Sequence, residues 1–536
     1  MTDIFFPPWL RVSSVQVTPL DNTAAGTSIF SGATVTTERA GDRLRFALST
    51  RNSTNAANVA ERALLAGIRA TLRGRANRLW MTPPGYIKRG TFPADELLTN
   101  NDFSNETSGW TSGSEFTGSV ADRTARLLRN ASTSTNTLLA QSGASFSQYA
   151  PYTARFFVSG LRYGNSLYAD ERNSGGSQVS SGSSVAAASM PAFVNYSFVA
   201  MNASGAAGLR ESTWAAGLVS PGDYVDVRWT SLARCALVDN MPNYLLYSDQ
   251  INNAAWTKLS ATVTTDTATA PDGTVSGESI YETTATDVHG IYQSITRTNS
   301  AADFCGSMVL KQGNRSIIYI SVRDDVSGTN GGSAKINLAD GSVHTAAANI
   351  GSSTGSRVFV TNNGNGWWKV DFITRLPASG TTAVLAVFIC DGSGNVTYTG
   401  NTANYIAAWR GALAPSGVPF IPAQTTSAAS NGTGVYGTRI PLKGLPVSTA
   451  GLLLFGDYLQ IGSQLAMVAG TVSSDAAGCA DMNVMWPFRT TPANGSAVII
   501  NSPMGKFVMA DTSSGWGESA GGIGDHEFVV EEDIAG

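Results

Sequence analysis

The stretch GNGWWKVDF (residues 364–372) sets two tryptophans directly after a Gly/Asn turn. Successive side chains of a strand point to opposite faces, so Trp367 and Trp368 are expected to divide between a core and an outer surface. An outward ring can lie against the apolar C–H face of a sugar while nearby Asn, Asp and Ser supply hydrogen bonds. The competing reading is that both rings fill a sandwich and its edge. Tyr319 and Tyr398 are the other aromatic candidates for such a surface. No other constellation points to chemistry. His289, His344 and His526 stand apart, and the chain has no HExxH, phosphate loop or nucleophile elbow. DGSGNVTYTGN (391–401) opens like a calcium loop, but Val396 and Thr402 occupy the glycine and glutamate positions, so a plain turn is expected. Glu531, Glu532 and Asp533 read as solvated tail carboxylates. The chain is therefore expected to be no enzyme, although glycosidase carboxylates can be far apart in sequence.

Such residues need a scaffold, and the composition says which kind. The chain has 536 residues, 42% of them hydrophobic, and only 14% are charged, against about 25% in typical globular chains. Ser, Thr, Asn, Ala and Gly fill the difference. A net charge of −4 gives no argument for nucleic-acid or membrane binding. MTDIFFPPWLRV lacks the pattern of a secretory signal, and apolar runs such as AVLAVFI (383–389) have strand length. Cys235, Cys305, Cys390 and Cys479 are widely spaced. Cys305 and Cys390 could meet across a sandwich, but buried free thiols suit a chain folded in cytoplasm better.

The chain starts again in its middle. ELLTNNDFSNETSGW (96–110) and YLLYSDQINNAAW (244–256) share a Leu-Leu pair, a later apolar residue and a Trp; Leu97 answers Leu245 and Trp110 answers Trp256. At an offset of 152, Gln141 falls on Gln293, and Tyr152, Phe156 and Val158 fall on Phe304, Met308 and Leu310. DYVDVRWTSLA (223–233) answers NYIAAWRGALA (404–414) at 181, so the second copy carries 29 extra residues in its later half. Both copies read as short alternating strands between Gly/Asn/Asp/Ser turns. RSIIYISVRDD puts Ile318, Ile320 and Val322 on one face and Ile317, Tyr319 and Ser321 on the other.

The expected fold is mostly β: two tandem antiparallel jelly-roll sandwiches inserted into a split β-rich domain with one helix. The expected division is 1–93 (first half of the frame), 94–242 and 243–423 (the two modules), 424–434 (linker) and 435–536 (second half of the frame). In the first flank RLRFALST alternates Leu44, Phe46 and Leu48 with Arg43 and Arg45. The segment after it reads as the helix, with Val59, Ala63, Leu64, Ile68 and Leu72 on one stripe. Arg69, Arg73, Arg75 and Arg78 near its end suit the helix dipole and need no nucleic acid.

NYLLYSDQINNAAWTK, IYQSI, GWWKVDF and YTGNTANYIAAWRGALAP, in that order, resemble a jelly-roll module found in bacteriophage tail proteins and related to carbohydrate-binding modules. The first copy resembles the same superfamily more loosely. Some members hold a structural calcium near the first and last strands, and the resemblance matches Asn101, Asp102 and Asp226 to its oxygens; Ala407 stands opposite Asp226 in the second copy. The flanks, with GDYLQIGSQLAMVAGTV and VMWPFRTTPANGSAVIINSP, resemble the frame of phage distal-tail (tail-tip) proteins. What this implies is a virion protein assembled in the host cytoplasm, forming a ring, expected to be a hexamer, on the tail tube with other tail-tip proteins. Its modules would bind host-surface glycans. A purely structural role in the tail and a surface-polysaccharide hydrolase are the alternatives.

Overall fold

The computed structural model describes residues 3–6, 14–20, 24–27, 34–37, 43–50, 67–68, 70–72, 77–84, 86–112, 116–121, 123–130, 137–161, 167–173, 178–181, 185–186, 190–200, 203–211, 223–239, 241–325, 327–428, 438–510 and 526–533. It is a mostly β protein whose sheets are antiparallel except where Asp3–Phe5 pairs Arg78–Met81 in parallel. The expected helix is seen at residues 67–68 and 70–72, where Ile68 and Leu72 are buried; the rest of that segment, including Val59, Ala63 and Leu64, lies outside the described residues.

Two sandwiches share one strand order. In the first, Phe116–Ala121, Thr124–Arg129, Tyr224–Arg234, Pro151–Leu161 and Ala192–Val199 form one sheet in that spatial order, and Thr137–Ser145, Ser204–Glu211, Leu167–Asn173 and Gln178–Ser181 form the other. The second repeats this with Ala261–Thr269, Val275–Glu282, Tyr405–Ala414, Ala302–Gln312 and Trp367–Leu376, opposite Thr286–Thr296, Thr382–Ile389, Ile317–Arg323 and Gly331–Asn337. Arg155 pairs Ser231 in the first and Ser307 pairs Ala412 in the second, in keeping with the sequence offsets. Much of the second copy's extra length is a further pair of strands, Ser342–Ile350 and Thr354–Asn362, which adds one edge strand to each sheet.

The shared residues make the same contacts in both copies. The Gln141 carboxamide accepts from Thr99 N at 2.6 Å and donates to Thr99 O at 2.9 Å. Gln293 does the same to Leu246, at 2.6 and 3.0 Å. Each buried tryptophan ties its indole N–H to the turn before it, Trp110 to Asn100 O and Trp256 to Tyr247 O. A buried carboxamide that satisfies both the N–H and the C=O of the residue it faces explains why a glutamine recurs there.

A third body joins the chain's two ends. One sheet runs Asp3–Phe5, Arg78–Met81, Gly505–Met509, His526–Glu532, Arg43–Thr50, Ser14–Leu20. Leu44, Phe46 and Leu48 are fully buried on one face with Phe507, Met509 and Val530. Glu531 and Glu532 are buried, not solvated as expected: they sit on an internal strand and meet Arg45 and Arg489, each at 2.8 Å. A neighbouring sheet, Gln464–Met467, Tyr458–Ile461, Ala497–Ile499, Ala236–Val238, Arg439–Lys443, Ala480–Asn483, takes in Ala236–Val238 from within the span expected to be first module. The expected linker also starts packed, since Thr425 bonds Leu245 O and Ser248.

Each sandwich lays one sheet on its surroundings. Phe157, Phe193 and Trp229 of the first meet Phe5, Trp80 and Met504, with Phe5 and Phe157 stacked at 4.8 Å. From the corresponding sheet of the second, Lys369 reaches Asp371 (2.9 Å) and Phe420 O (2.7 Å). Burial, reinforced by Asp475 from the C-terminal body, raises the Asp371 carboxyl against the pull of Lys369. Beside them Arg357 covers the Tyr149 ring of the first module at 4.1 Å.

Candidate functional site

The opposite sheet of the second sandwich carries the core residues Ile318, Ile320, Val322, Leu385 and Val387 on its inner face. Alternation then forces Tyr319, Ser321, Arg323, Ala386, Phe388 and Tyr292 onto the outer face. The registers set them side by side: Tyr319 opposite Phe388, Ser321 opposite Ala386, and Tyr292 on the far side of Ala386. Lys335 and Ser333 extend the rows, opposite Tyr319 and Ser321. Tyr319 and Phe388 lie parallel, 7° apart, with centroids 5.8 Å apart. The Arg323 guanidinium is 5.6 Å from one centroid and 5.8 Å from the other. Its Nε donates to Ser321 Oγ and its Nη2 to Tyr319 Oη, both at 3.0 Å. Tyr319, Tyr292, Arg323 and Lys335 remain partly exposed, while Ser321, Ala386 and Phe388 are covered, so Phe388 backs the exposed Tyr319 ring and is not itself presented. The result is an aromatic floor with a positioned cation and hydroxyls on a rigid sheet, suited to holding a polar ring with an apolar face.

The four aromatic candidates part company. Tyr319 belongs to this floor. Trp367 is fully buried among Ala270, Val309, Ala407 and Trp409, with its indole N–H on Thr269 O, so it offers no ring to a ligand; the sequence expectation is corrected here. The reason is that the outer face of its sheet is covered by the end of the Ala261–Thr269 strand. Trp368 faces the other way and packs on the module's core, its N–H on Leu338 O at 2.9 Å. A Cβ on Gly341 would lie 2.4 Å from its ring, so the Gly341 turn lies against a ring that stays partly exposed. Tyr398 is tied into a polar cluster: its hydroxyl donates to Glu282 at 2.7 Å and its ring lies 4.8 Å from His289. Burial would raise the Glu282 carboxyl, but bonds from Arg315, Tyr398, Asn401 and Asn404 outweigh it and hold Glu282 below the usual range. A group so fully partnered is built for structure.

The calcium set of the first copy does not fit a metal. Asp226 is gripped by Arg126 through both oxygens at 2.8 and 2.7 Å, and Asp102 pairs with Arg123. Asn101 contributes its backbone carbonyl to Thr230 N. Each carboxylate already faces its own cation, and the described residues contain no cluster of three acidic, His or Cys groups able to hold an ion. Asp391 accepts from Ser393 N and from Asn395 N, as a plain turn does. All four cysteines are free and buried, and burial pushes the Cys235 and Cys390 thiols up to about 12.

A concavity of about 440 Å³ opens elsewhere, where the three bodies meet, lined by Tyr196, Phe198, Asp303 and Arg375 among others. Asp303 Oδ1 is buried there without a hydrogen bond, 3.7 Å from Arg375. No local sequence pattern points to it, because its walls come from segments far apart in the chain. Phe388, Tyr292 and Arg323 of the floor carry no motif either, although the alternation that puts Tyr319 outward also puts Arg323 there.

No protein-family model matches the chain, and no curated protein sequence matches it. Among solved structures, the tandem CBM22 domain of Paenibacillus barcinonensis Xyn10C aligns at 12% identity and a TM-score of 0.21, over 61% of this chain and all of that one. The enzymatically active domain of bacteriophage CBA120 tailspike protein 4 aligns at 14% identity and a TM-score of 0.20, over 32% of this chain and 21% of that one. The arabinofuranosyltransferase AftD from Mycobacteria aligns at 8% identity and a TM-score of 0.14, over 76% of this chain and 42% of that one. Overlaps this slight leave the functional reading to the chain's own residues.

Proposed function

We propose that this protein is a non-enzymatic component of a phage tail tip whose second sandwich holds host-surface carbohydrate on its outer sheet. The observation that carries the binding role is the Tyr319–Phe388–Arg323 floor, which belongs to the sheet opposite the one that carries Lys369, Asp371 and Arg357. The tail location rests on the resemblance of the flanks and modules to distal-tail proteins, as do the ring and its contacts with the tube. A non-catalytic role agrees with the buried carboxylates Glu282, Asp239 and Asp371, each held by a cation: Arg315, Lys443 and Lys369. A ring would present several floors at once, so weak single sites would add up through effective concentration.

Two substitutions in the full chain separate binding from folding. Tyr319→Ala should cut retention on a multivalent host-surface glycan by about tenfold, as for loss of one aromatic contact worth about 1 kcal/mol or more, with melting unchanged. Trp367→Ala should lower stability by about 3–5 kcal/mol, as for emptying a buried aromatic site. Full retention by Tyr319→Ala would leave the module a spacer, the purely structural alternative.

A further inference from the structure

We infer that the outer floor of the second sandwich selects acid-bearing saccharides, with Arg323 as the residue that reads the oxyanion. This rests on the carbohydrate reading above and adds the class of sugar. A guanidinium has five N–H donors in a planar fork. Arg323 spends one from Nε on Ser321 Oγ and one from Nη2 on Tyr319 Oη. Both bonds lie on one side of the fork, which leaves the Nη1–Nη2 end for a second, bidentate partner. Two parallel N–H···O bonds to a carboxylate or phosphate are what that end fits.

The surroundings hold the group in place and put no carboxylate on its fork; the nearest acid, Asp325, feels the Arg323 charge from a distance. Arg323 makes no ion pair within 4 Å among the described residues. Asp325 is the acid near it, and its oxygens are taken by Gly328 N, Thr329 N and Thr329 Oγ1. Asp324 is buried and bonds Asn330. On the neighbouring strand the charge facing the floor is Lys335, another cation. Room for the arginine is made by glycine: a Cβ on Gly328, at φ +75°, would come within 2.9 Å of Nη1, and one on Gly331 within 2.8 Å of the Arg323 Cα. A guanidinium with no carboxylate on its fork, locked by two hydroxyls and two glycines beside parallel rings, fits a sugar ring carrying an acid better than a neutral one.

The test uses the full chain and three immobilised polymers: polygalacturonate, its full methyl ester, and a sugar-phosphate polymer of teichoic type. The ester keeps the ring and removes the charge; the last polymer tells phosphate from carboxylate as the source of the oxyanion. Retention on at least one acidic polymer should exceed that on the ester by tenfold or more, the scale of a charge-assisted hydrogen bond. Arg323→Gln should abolish that preference, and Arg323→Lys should restore only part of it. Equal retention on ester and acids, weakened by Tyr319→Ala, overturns the acid selectivity and keeps the carbohydrate reading. Retention on none of the three overturns both. A preference that survives in Arg323→Gln with unchanged melting assigns the selectivity elsewhere and overturns the role of Arg323.

Discussion

Gln293 shows how one side chain can hold a module's first turn. Its carboxamide meets both backbone groups of Leu246, and Gln141 repeats the arrangement at Thr99. Replacing Gln293 by Ala leaves the partly buried N–H and C=O of Leu246 without this partner, at about 1–3 kcal/mol for such a loss. Denaturant unfolding should register a drop of that order, and an unchanged midpoint would mean that water takes over the clamp. Glu278 is a residue-scale determinant of a different kind. It is buried on Val275–Glu282 and accepts from Asn252 N at 2.7 Å. Burial, reinforced by Asp266 and opposed by the Asn252 bond, raises its carboxyl from 4.5 to about 7. A raised folded pKa means that the folded state binds the extra proton. Its contribution is therefore complete below about 4.5 and is lost as pH rises through about 7. Glu278→Gln keeps the acceptor and removes the charge. Its melting temperature should equal wild type near pH 4 and exceed it increasingly up to pH 8; a constant gap across that range would remove Glu278 from the pH response.

At the scale of elements, period-two alternation made most of the strands readable. Ile318, Ile320 and Val322 inward with Tyr319 outward, and Leu44, Phe46 and Leu48 inward, follow from the strand pleat, and the structure has them so. The repeat was legible because the residues that recur, Gln141 with Gln293 and Trp110 with Trp256, do the same structural work in each copy. What alternation does not tell is which of a sandwich's two outer faces is covered. Trp367 and Tyr319 both point away from their own core, yet Trp367 is closed over by the Ala261–Thr269 strand and Tyr319 is half-open. That difference comes from how long a neighbouring hairpin runs and where a module docks, neither of which leaves a local pattern. The tail carboxylates were misread for the same reason. Glu531 and Glu532 look solvated in isolation, but pairing of their strand between Gly505–Met509 and Arg43–Thr50 puts them against Arg45 and Arg489. Similarly, Asp102 and Asp226 look like ligands until Arg123 and Arg126 are brought across to them.

At the scale of the whole molecule, the two ends of the chain complete one sheet, and this has a mechanical consequence. His526–Glu532 hydrogen-bonds Arg43–Thr50 on one side and Gly505–Met509 on the other, so it is the strand that joins N-terminal to C-terminal segments. Val530 covers the core formed by Leu44, Phe46 and Phe507, and Glu531 and Glu532 neutralise Arg45 and Arg489. Removing residues 511–536 would expose two strand edges, strip an apolar face and leave the partly buried Arg489 cation without its carboxylate, each a recognised source of destabilisation. The second sandwich has its own core, from Leu245 to Leu413, and draws none of it from that sheet. Limited proteolysis of the truncated chain should therefore cut segment 1–93 at least about tenfold faster than in the full chain, as expected when local opening loses more than about 1.4 kcal/mol of protection. Segment 243–423 should be cut at its former rate. Equal protection of both segments would mean that the N-terminal strands are held by something other than the returning end of the chain, and the split frame would have to be redrawn as two separate units.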